Sequence, residues 1–165
     1  LKRGLDVGVS LVLLLLAAPF LLAAALAIRV QDGGPALYRQ DRVTQGGRVF
    51  RMLKLRTMRT DAERGGARWA AAGDPRVTPL GRFLRRTRVD ELPQLINVLR
   101  GDMSFVGPRP ERPEFTRDLA EKLPLYEERH LVRAGLTGWA QINYPYGASL
   151  DDARSKLSYD LYYVK

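Results

Sequence analysis

Val7 to Ile28, VGVSLVLLLLAAPFLLAAALAI, runs for 22 residues without a charge. As straight helix at ~1.5 Å per residue it reaches about 33 Å, enough for the hydrocarbon core of a bilayer. A secretory signal peptide is the first alternative, but its apolar region is usually shorter. No small-x-small cleavage site followed by a cysteine-bearing secreted domain is seen. Pro19 sits within the run, where it removes a backbone hydrogen bond and forces a kink. Lys2 and Arg3 precede the run, and Arg29, Arg39 and Arg42 follow it. The positive-inside rule places both flanks on the cytoplasmic side. A kinked helix with both ends on one side is a re-entrant hairpin; an ordinary transmembrane helix with a tolerated proline is the competing reading. Either way the chain is a membrane protein.

Beyond the run, Ala36 to Val43 and Arg48 to Leu55 read as two short strands around Gly46-Gly47, a pair suited to the positive φ of a tight hairpin. Thr60 to Asp74 has no sustained period and reads as a mobile surface loop. A short helix is expected within Arg76 to Arg86. A second is expected from Asp90 to Leu99, with Leu92, Leu95, Ile96 and Leu99 on one face and Gly101 ending it. Pro108-Arg109-Pro110 is a stiff turn. Glu111 to Val132 reads as mostly helical with a break near Pro124. Ala134 to Gly147 is expected to be irregular. Ser149-Leu150-Asp151-Asp152 reads as a capping box opening a last helix. The fold class is therefore α+β, mainly helical: an N-terminal membrane helix, a small β-hairpin and a compact helical domain. The division is residues 1–30 for the anchor and 31–165 for a single functional unit, in a chain that looks cut at both ends.

The 165 residues carry 27 Lys+Arg against 18 Asp+Glu, a formal charge of +9. That excess suits an anionic partner: nucleic acid, phospholipid or a phosphorylated substrate. Cysteine is absent and His130 is the one histidine, which excludes disulfides, thiolate nucleophiles and the common zinc sites. Beside Glu127, Glu128 and Arg129, His130 reads as a solvated helical residue. No P-loop or dinucleotide fingerprint occurs. The 14 aromatic residues cluster around Trp139, Tyr144 and Tyr146 and in the last helix. They fit core or membrane-interface positions better than base stacking, which argues against nucleic acid.

The acids Asp90 and Glu91 open a predicted helix, where the dipole and free N–H groups favour ionised carboxylates. An ionised Asp is an adequate nucleophile toward phosphorus, and a neighbouring Glu suits a magnesium ion. Simple helix capping is the competing reading. Lys54 and Arg56, then Arg85, Arg86 and Arg88, and finally Arg109 supply donors for phosphate oxygens. They equally suit a face attracted to anionic lipid.

Six segments in order resemble the bacterial sugar transferases, the monotopic polyprenyl-phosphate phosphoglycosyl transferases. These are Lys2-Arg3 with Asp6 and the apolar run; Phe50 to Met58 (FRMLKLRTM); Asp90 to Gln94 (DELPQ); Gly101 to Glu111 (GDMSFVGPRPE); Gly135 to Gln141 (GLTGWAQ); and Tyr159 to Val164 (YDLYYV). The resemblance implies a cytoplasm-facing enzyme of the bacterial inner membrane, anchored by a re-entrant helix that breaks at Pro19. It implies Mg2+, a UDP-sugar donor, an undecaprenyl-phosphate acceptor and contact with membrane phospholipid, in the first membrane step of exopolysaccharide or glycoconjugate synthesis. Asp90 matches the nucleophile that carries the phosphosugar while UMP leaves, and Glu91 the acid that shares the metal with it. Pro108, Arg109 and Pro110 match the turn that meets the nucleotide, and Lys54, Arg56 and Arg85 match basic positions toward the phosphates.

Departures from the family pattern are Ala18 before Pro19, where many members carry serine, Ala134 in place of a frequent proline, and Tyr144-Pro145-Tyr146-Gly147 in place of a frequent Gly-Arg version. The family's amphipathic C-terminal tail is missing, and Glu111 to Phe115 looks like the larger members with additional N-terminal parts. The alternative to an enzyme is a membrane-surface scaffold whose basic face binds anionic lipid. The sugar stays open, and so does oligomeric state, a homodimer included.

Overall fold

The computed structural model describes residues 1–62, 73–145, 147 and 149–164. Helix α1 (Lys2–Asp32) holds the apolar run with Pro19 inside it, and Gly33 ends it in the left-handed conformation at φ 71°. Among the described residues it is the one helix long and apolar enough to cross a membrane, and little of it is buried. Its buried residues Asp6, Ser10, Ala17 and Ile28 are spaced to form one stripe at 3.6 residues per turn. Leu11, Val12, Leu15, Leu16, Phe20, Leu22 and Leu26 stay exposed elsewhere around the helix. A solvated helix of a water-soluble domain does not carry such a surface.

Strands β1 (Leu37–Val43) and β2 (Val49–Leu55) form the antiparallel hairpin, in register from Leu37 opposite Leu55 to Val43 opposite Val49. Gly46 and Gly47 take φ 68° and 72° in the connecting turn, as the glycine pair implies. Opposed residues share a face, so Arg42 lies beside Phe50 and Tyr38 beside Lys54. The outer edge of β2 is closed by the fully buried Asn97. Its Oδ1 accepts from the Leu53 N–H at 2.9 Å, and its Nδ2 donates to the Arg51 carbonyl at 2.9 Å.

Of the loop expected from Thr60 to Asp74, residues 63–72 lie outside the described ones. Its flanks are joined by an antiparallel bridge between Met58 and Val77. Helix α2 (Pro79–Thr87) follows, with the Thr78 hydroxyl capping its start. The helix expected from Asp90 begins later. Val89–Glu91 is a 3-10 turn, and α3 spans Gln94–Arg100. Pro93 has no N–H to extend an α ladder, so the chain approaches α3 through i→i−3 bonds such as Leu92 N–H to the Val89 carbonyl. Gly101 ends α3 at φ 87°, as expected. The buried face also differs from the expected one: Leu92, Ile96 and Leu99 are half-buried, whereas Gln94, Leu95, Asn97 and Val98 are buried because α3 packs on both α1 and β2.

Strand β3 (Ser104–Val106) pairs in parallel with β4 (Gly135–Thr137). With α5 (Trp139–Asn143), β4 corrects the irregular reading of Ala134 to Gly147. Close backbone approach makes the pairing possible: a Cβ on Gly135 would lie 2.2 Å from the Gly107 nitrogen, and one on Gly107 2.4 Å from the Arg133 carbonyl oxygen. Helix α4 (Pro113–Lys122) and the 3-10 turn Tyr126–Leu131 flank the expected break. Helix α6 (Leu150–Asp160) opens with the expected capping box, Ser149 and Asp152 bonding reciprocally.

The core has three parts: Phe50, Met52, Val98 and Met103 between hairpin and α3; Leu119, Leu123, Tyr126 and Leu157 between α4 and α6; and Ile28, Leu55 and Leu84 joining α1, β2 and α2. The fold is thus mainly helical α+β with a long apolar N-terminal helix.

Candidate active site

Asp90 and Glu91 sit in the 3-10 turn between α2 and α3. Arg88 turns the chain into it at φ 60°, a conformation that costs a non-glycine residue free energy and concentrates at functional positions. Neither this turn nor α3 has a side-chain cap hydrogen bond, so the pair does not serve as a helix cap. Asp90 is 6% exposed, and its Oδ1 is buried without a hydrogen-bond partner. Glu91 is the opposite case. Its Oε1 accepts from Lys54 Nζ at 3.0 Å and Arg109 Nη2 at 3.2 Å, with Arg88 Nη1 at 3.9 Å.

These contacts come from distant segments. Lys54 follows Phe50 and Met52 along one face of β2. Arg109 arrives from β3 through the proline turn. Arg85 is held on α2 by its Nε bond to the Thr57 hydroxyl at 2.8 Å. Gly81 allows α2 to lie that close, since a Cβ there would meet the Thr57 carbonyl oxygen at 2.0 Å.

The electrostatics divide the two acids. Burial pushes the Asp90 carboxyl above its ordinary value, opposed by Lys54 and Arg85 and assisted by Glu91. This corrects the expectation that a helix start favours its ionised form: desolvation of a side chain outside any α-helical N-terminus wins. Burial also raises Glu91, but Lys54 and Arg109 outweigh it and hold the carboxyl down to about 2. Lys54 is lowered to about 8, first by burial and then by Arg109, despite its bond to Glu91. Shifts of opposite sense on adjacent acids mark separate roles.

Lys54, Arg109 and Glu91 are thus brought together with Asp90, and Arg85 is within electrostatic range of it. Arg56 is elsewhere: its Nη2 pairs with Asp32 at the end of α1, and its side chain is buried. His130 is not a solvated side chain. Its Nε2 is buried without a partner, its ring meets Tyr126 edge-on with centroids 6.2 Å apart, and burial followed by Arg129 lowers its pKa to about 4.

Residues that the sequence offered only as flanks of the apolar run, as motif positions or as part of a charged stretch complete the surroundings. Arg42 Nη1 donates to the Pro110 carbonyl at 2.9 Å, and Arg129 Nη2 donates to the Arg109 carbonyl at 2.8 Å. Lys2, Arg3 and Asp6 bolt the start of α1 to the segment that becomes the turn. Lys2 Nζ donates to the Val106 carbonyl at 3.1 Å, and Arg3 donates to the Val98 and Leu99 carbonyls. Asp6 accepts from the Ser104 hydroxyl at 2.8 Å and the Phe105 N–H at 3.1 Å. Arg129 adjoins Glu127 and Glu128, a charged run whose local signal is that of a solvated face.

A family model described as bacterial sugar transferase matches residues 1–165. The chain belongs to the bacterial sugar transferase family. Among relatives in this family, the Aeromonas hydrophila UDP-N-acetylgalactosamine-undecaprenyl-phosphate N-acetylgalactosaminephosphotransferase is 44% identical over 165 residues, covering 100% of this chain and 39% of that protein. The Caulobacter vibrioides UDP-glucose:undecaprenyl-phosphate glucose-1-phosphate transferase is 45% identical over 166 residues, 99% of this chain and 62% of that protein. An exopolysaccharide production protein of Rhizobium leguminosarum bv. phaseoli is 43% identical over 170 residues, 99% of this chain and 85% of its own length. This bacterial sugar transferase sequence therefore spans well under half of the first of these relatives, and most of the third.

Proposed function

We propose that the chain transfers a sugar-1-phosphate from a UDP-sugar to undecaprenyl phosphate in two displacements at phosphorus. A carboxylate oxygen of Asp90 attacks the β-phosphorus, the bond to the bridging oxygen breaks, and UMP leaves with the electron pair. The lipid phosphate oxygen then attacks the same phosphorus and releases Asp90. The observation that carries this reading is the contrast between the acids: Asp90 Oδ1 is buried with no partner, while Glu91 takes up basic side chains from three segments. An oxygen left unpaired at a fixed position costs stability and suits a nucleophile. Lys54, Arg85 and Arg109 supply donors where a diphosphate gathers negative charge. The names of the relatives give the substrate classes of those proteins, and membership of the same family supports the same classes here.

Magnesium fits the donor set. Among the described residues no three metal-ligating side chains of His, Cys, Asp or Glu come together, so the protein offers two carboxylates, Asp90 and Glu91. Mg2+ sites completed by substrate phosphate and water need no more. When bound, the ion offsets the charge of the diphosphate.

The anchor of this reading is residues 1–30, bent into the bilayer at Pro19 and returning to the cytoplasmic face, with 31–165 as the catalytic unit. Its support is that both ends of α1 pack on one domain: Asp6 on Ser104 and Phe105, and Ile28 with Leu55 and Leu84. A helix that crossed the bilayer would carry one end away from that domain.

The test is UMP release from a panel of UDP-sugars by the full-length protein with Mg2+ and a short polyprenyl phosphate. Turnover with at least one hexose donor is expected. Folded protein that releases no UMP from any donor would leave the scaffold alternative standing.

A further inference from the structure

We infer that Arg129, with its partner Asp160, and Arg42 are positioning residues that aim Arg109 through the backbone of the proline turn. The inference rests on the reading of Arg109 as a contact to the donor. Pro108 and Pro110 have no N–H to donate, so the turn must be fixed largely through its carbonyls, and all three are occupied. Gly135 N–H donates to the Pro108 carbonyl at 2.8 Å, Arg129 Nη2 to the Arg109 carbonyl at 2.8 Å, and Arg42 Nη1 to the Pro110 carbonyl at 2.9 Å.

Each guanidinium is itself held. Arg129 donates from Nε and Nη2 to Asp160 Oδ2 at 3.0 and 2.6 Å, and from Nη1 to the Tyr126 hydroxyl at 3.2 Å. The pair is nearly inaccessible, with side chains 5% and 3% exposed. Arg42 donates to Gln40 Oε1 from Nε at 3.0 Å and meets Glu111 at 3.5 Å.

Burying an ion pair this deeply is a poor route to stability, since apolar replacements of similar volume often serve as well. What the apolar replacement lacks is a planar fork that reaches a carboxylate and a carbonyl together. The geometry therefore points to placement. Asp160 fixes Arg129, Arg129 fixes the Arg109 backbone, and the Arg109 side chain then reaches Glu91 at 3.2 Å.

A double-mutant cycle on the full-length enzyme tests this, read as kcat/KM for UMP release. Arg109→Ala removes the aimed side chain. Arg129→Lys keeps the charge opposite Asp160 but shortens the reach to the turn. Displacement of a donor by about 1 Å is worth on the order of 10²-fold, so Arg129→Lys is expected to lose about that much, mainly through a raised KM for the UDP-sugar. The double variant should then be no worse than Arg109→Ala alone, since both changes act on one interaction. Losses that multiply, or a fully active Arg129→Lys, would overturn the inference while leaving the reaction assignment intact. An Arg109→Ala enzyme with unchanged kinetics would instead remove Arg109 from the site, and the inference with it. Should Arg129→Lys not fold, Arg42→Lys enters the same cycle, and multiplying losses there count equally against the placement role.

Discussion

Lys54 shows how burial and neighbours set the working range of one side chain. Its pKa of about 8 means that it loses its proton across the mildly basic range, whereas an arginine there would stay charged. The alkaline limb of kcat/KM is therefore expected to fall through about pH 8, because above it one cation beside Glu91 is gone. Lys54→Arg should shift that limb upward even if the plateau is lower, and an unmoved limb would assign it to another group. On the acid side, the proposed attack on phosphorus needs Asp90 ionised. Burial holds that carboxyl above its ordinary 3.8, so the acid limb should lie higher than for an exposed aspartate. Sequence alone singled out Lys54, Asp90, Glu91 and Arg109, since each lies in a motif with its own chemistry, and the fold brings them to one place. It placed the sign of the Asp90 effect wrongly, because the extent of desolvation is a property of the folded surroundings. Arg129 and Asp160 were illegible for a related reason: 31 residues separate them, and only the packing of α6 on the Tyr126–Leu131 turn joins them.

At the scale of elements, α1 braces the candidate site as well as carrying the long apolar surface. Asp6 holds β3, and β3 leads within three residues to Pro108, so the long apolar helix and the proline turn are tied together. Asp6→Ala would strand the buried Ser104 hydroxyl and leave the Phe105 N–H without its acceptor. The expected cost is about 1–3 kcal/mol, read as a lowered midpoint of thermal unfolding in detergent; an unchanged midpoint would show that the bonds add nothing to the fold. The hairpin was readable from two short strand-like stretches around Gly46-Gly47, the C-terminus of α3 from Gly101, and the capping box from Ser149 and Asp152. The parallel β3–β4 pairing was not, because three-residue strands carry too little pattern to separate from a loop. Its signature lies in Gly107 and Gly135, whose missing Cβ atoms allow the approach, and that meaning appears only once the two segments are seen together.

For the whole molecule, the rest of the fold meets α1 along one stripe of that helix, and in the proposed reading the geometry of α1 in the bilayer decides where the reaction occurs. The absence of cysteine permits single-cysteine topology mapping at two exposed positions, Gly4→Cys before the apolar run and Val30→Cys after it. A re-entrant anchor predicts that an impermeant maleimide reaches both from the cytoplasmic side and neither from the opposite side; labelling from opposite sides would establish a span. The excess of +9 fits a domain resting on anionic headgroups while handling a diphosphate donor. The central claim, however, is covalent, and intact-mass spectrometry tests it most directly. Mixed with Mg2+ and a turned-over UDP-sugar but no lipid acceptor, the wild-type protein should gain one phosphosugar and release one UMP per active site, and Asp90→Asn should do neither. A phosphosugar adduct that persists in Asp90→Asn would contradict the account.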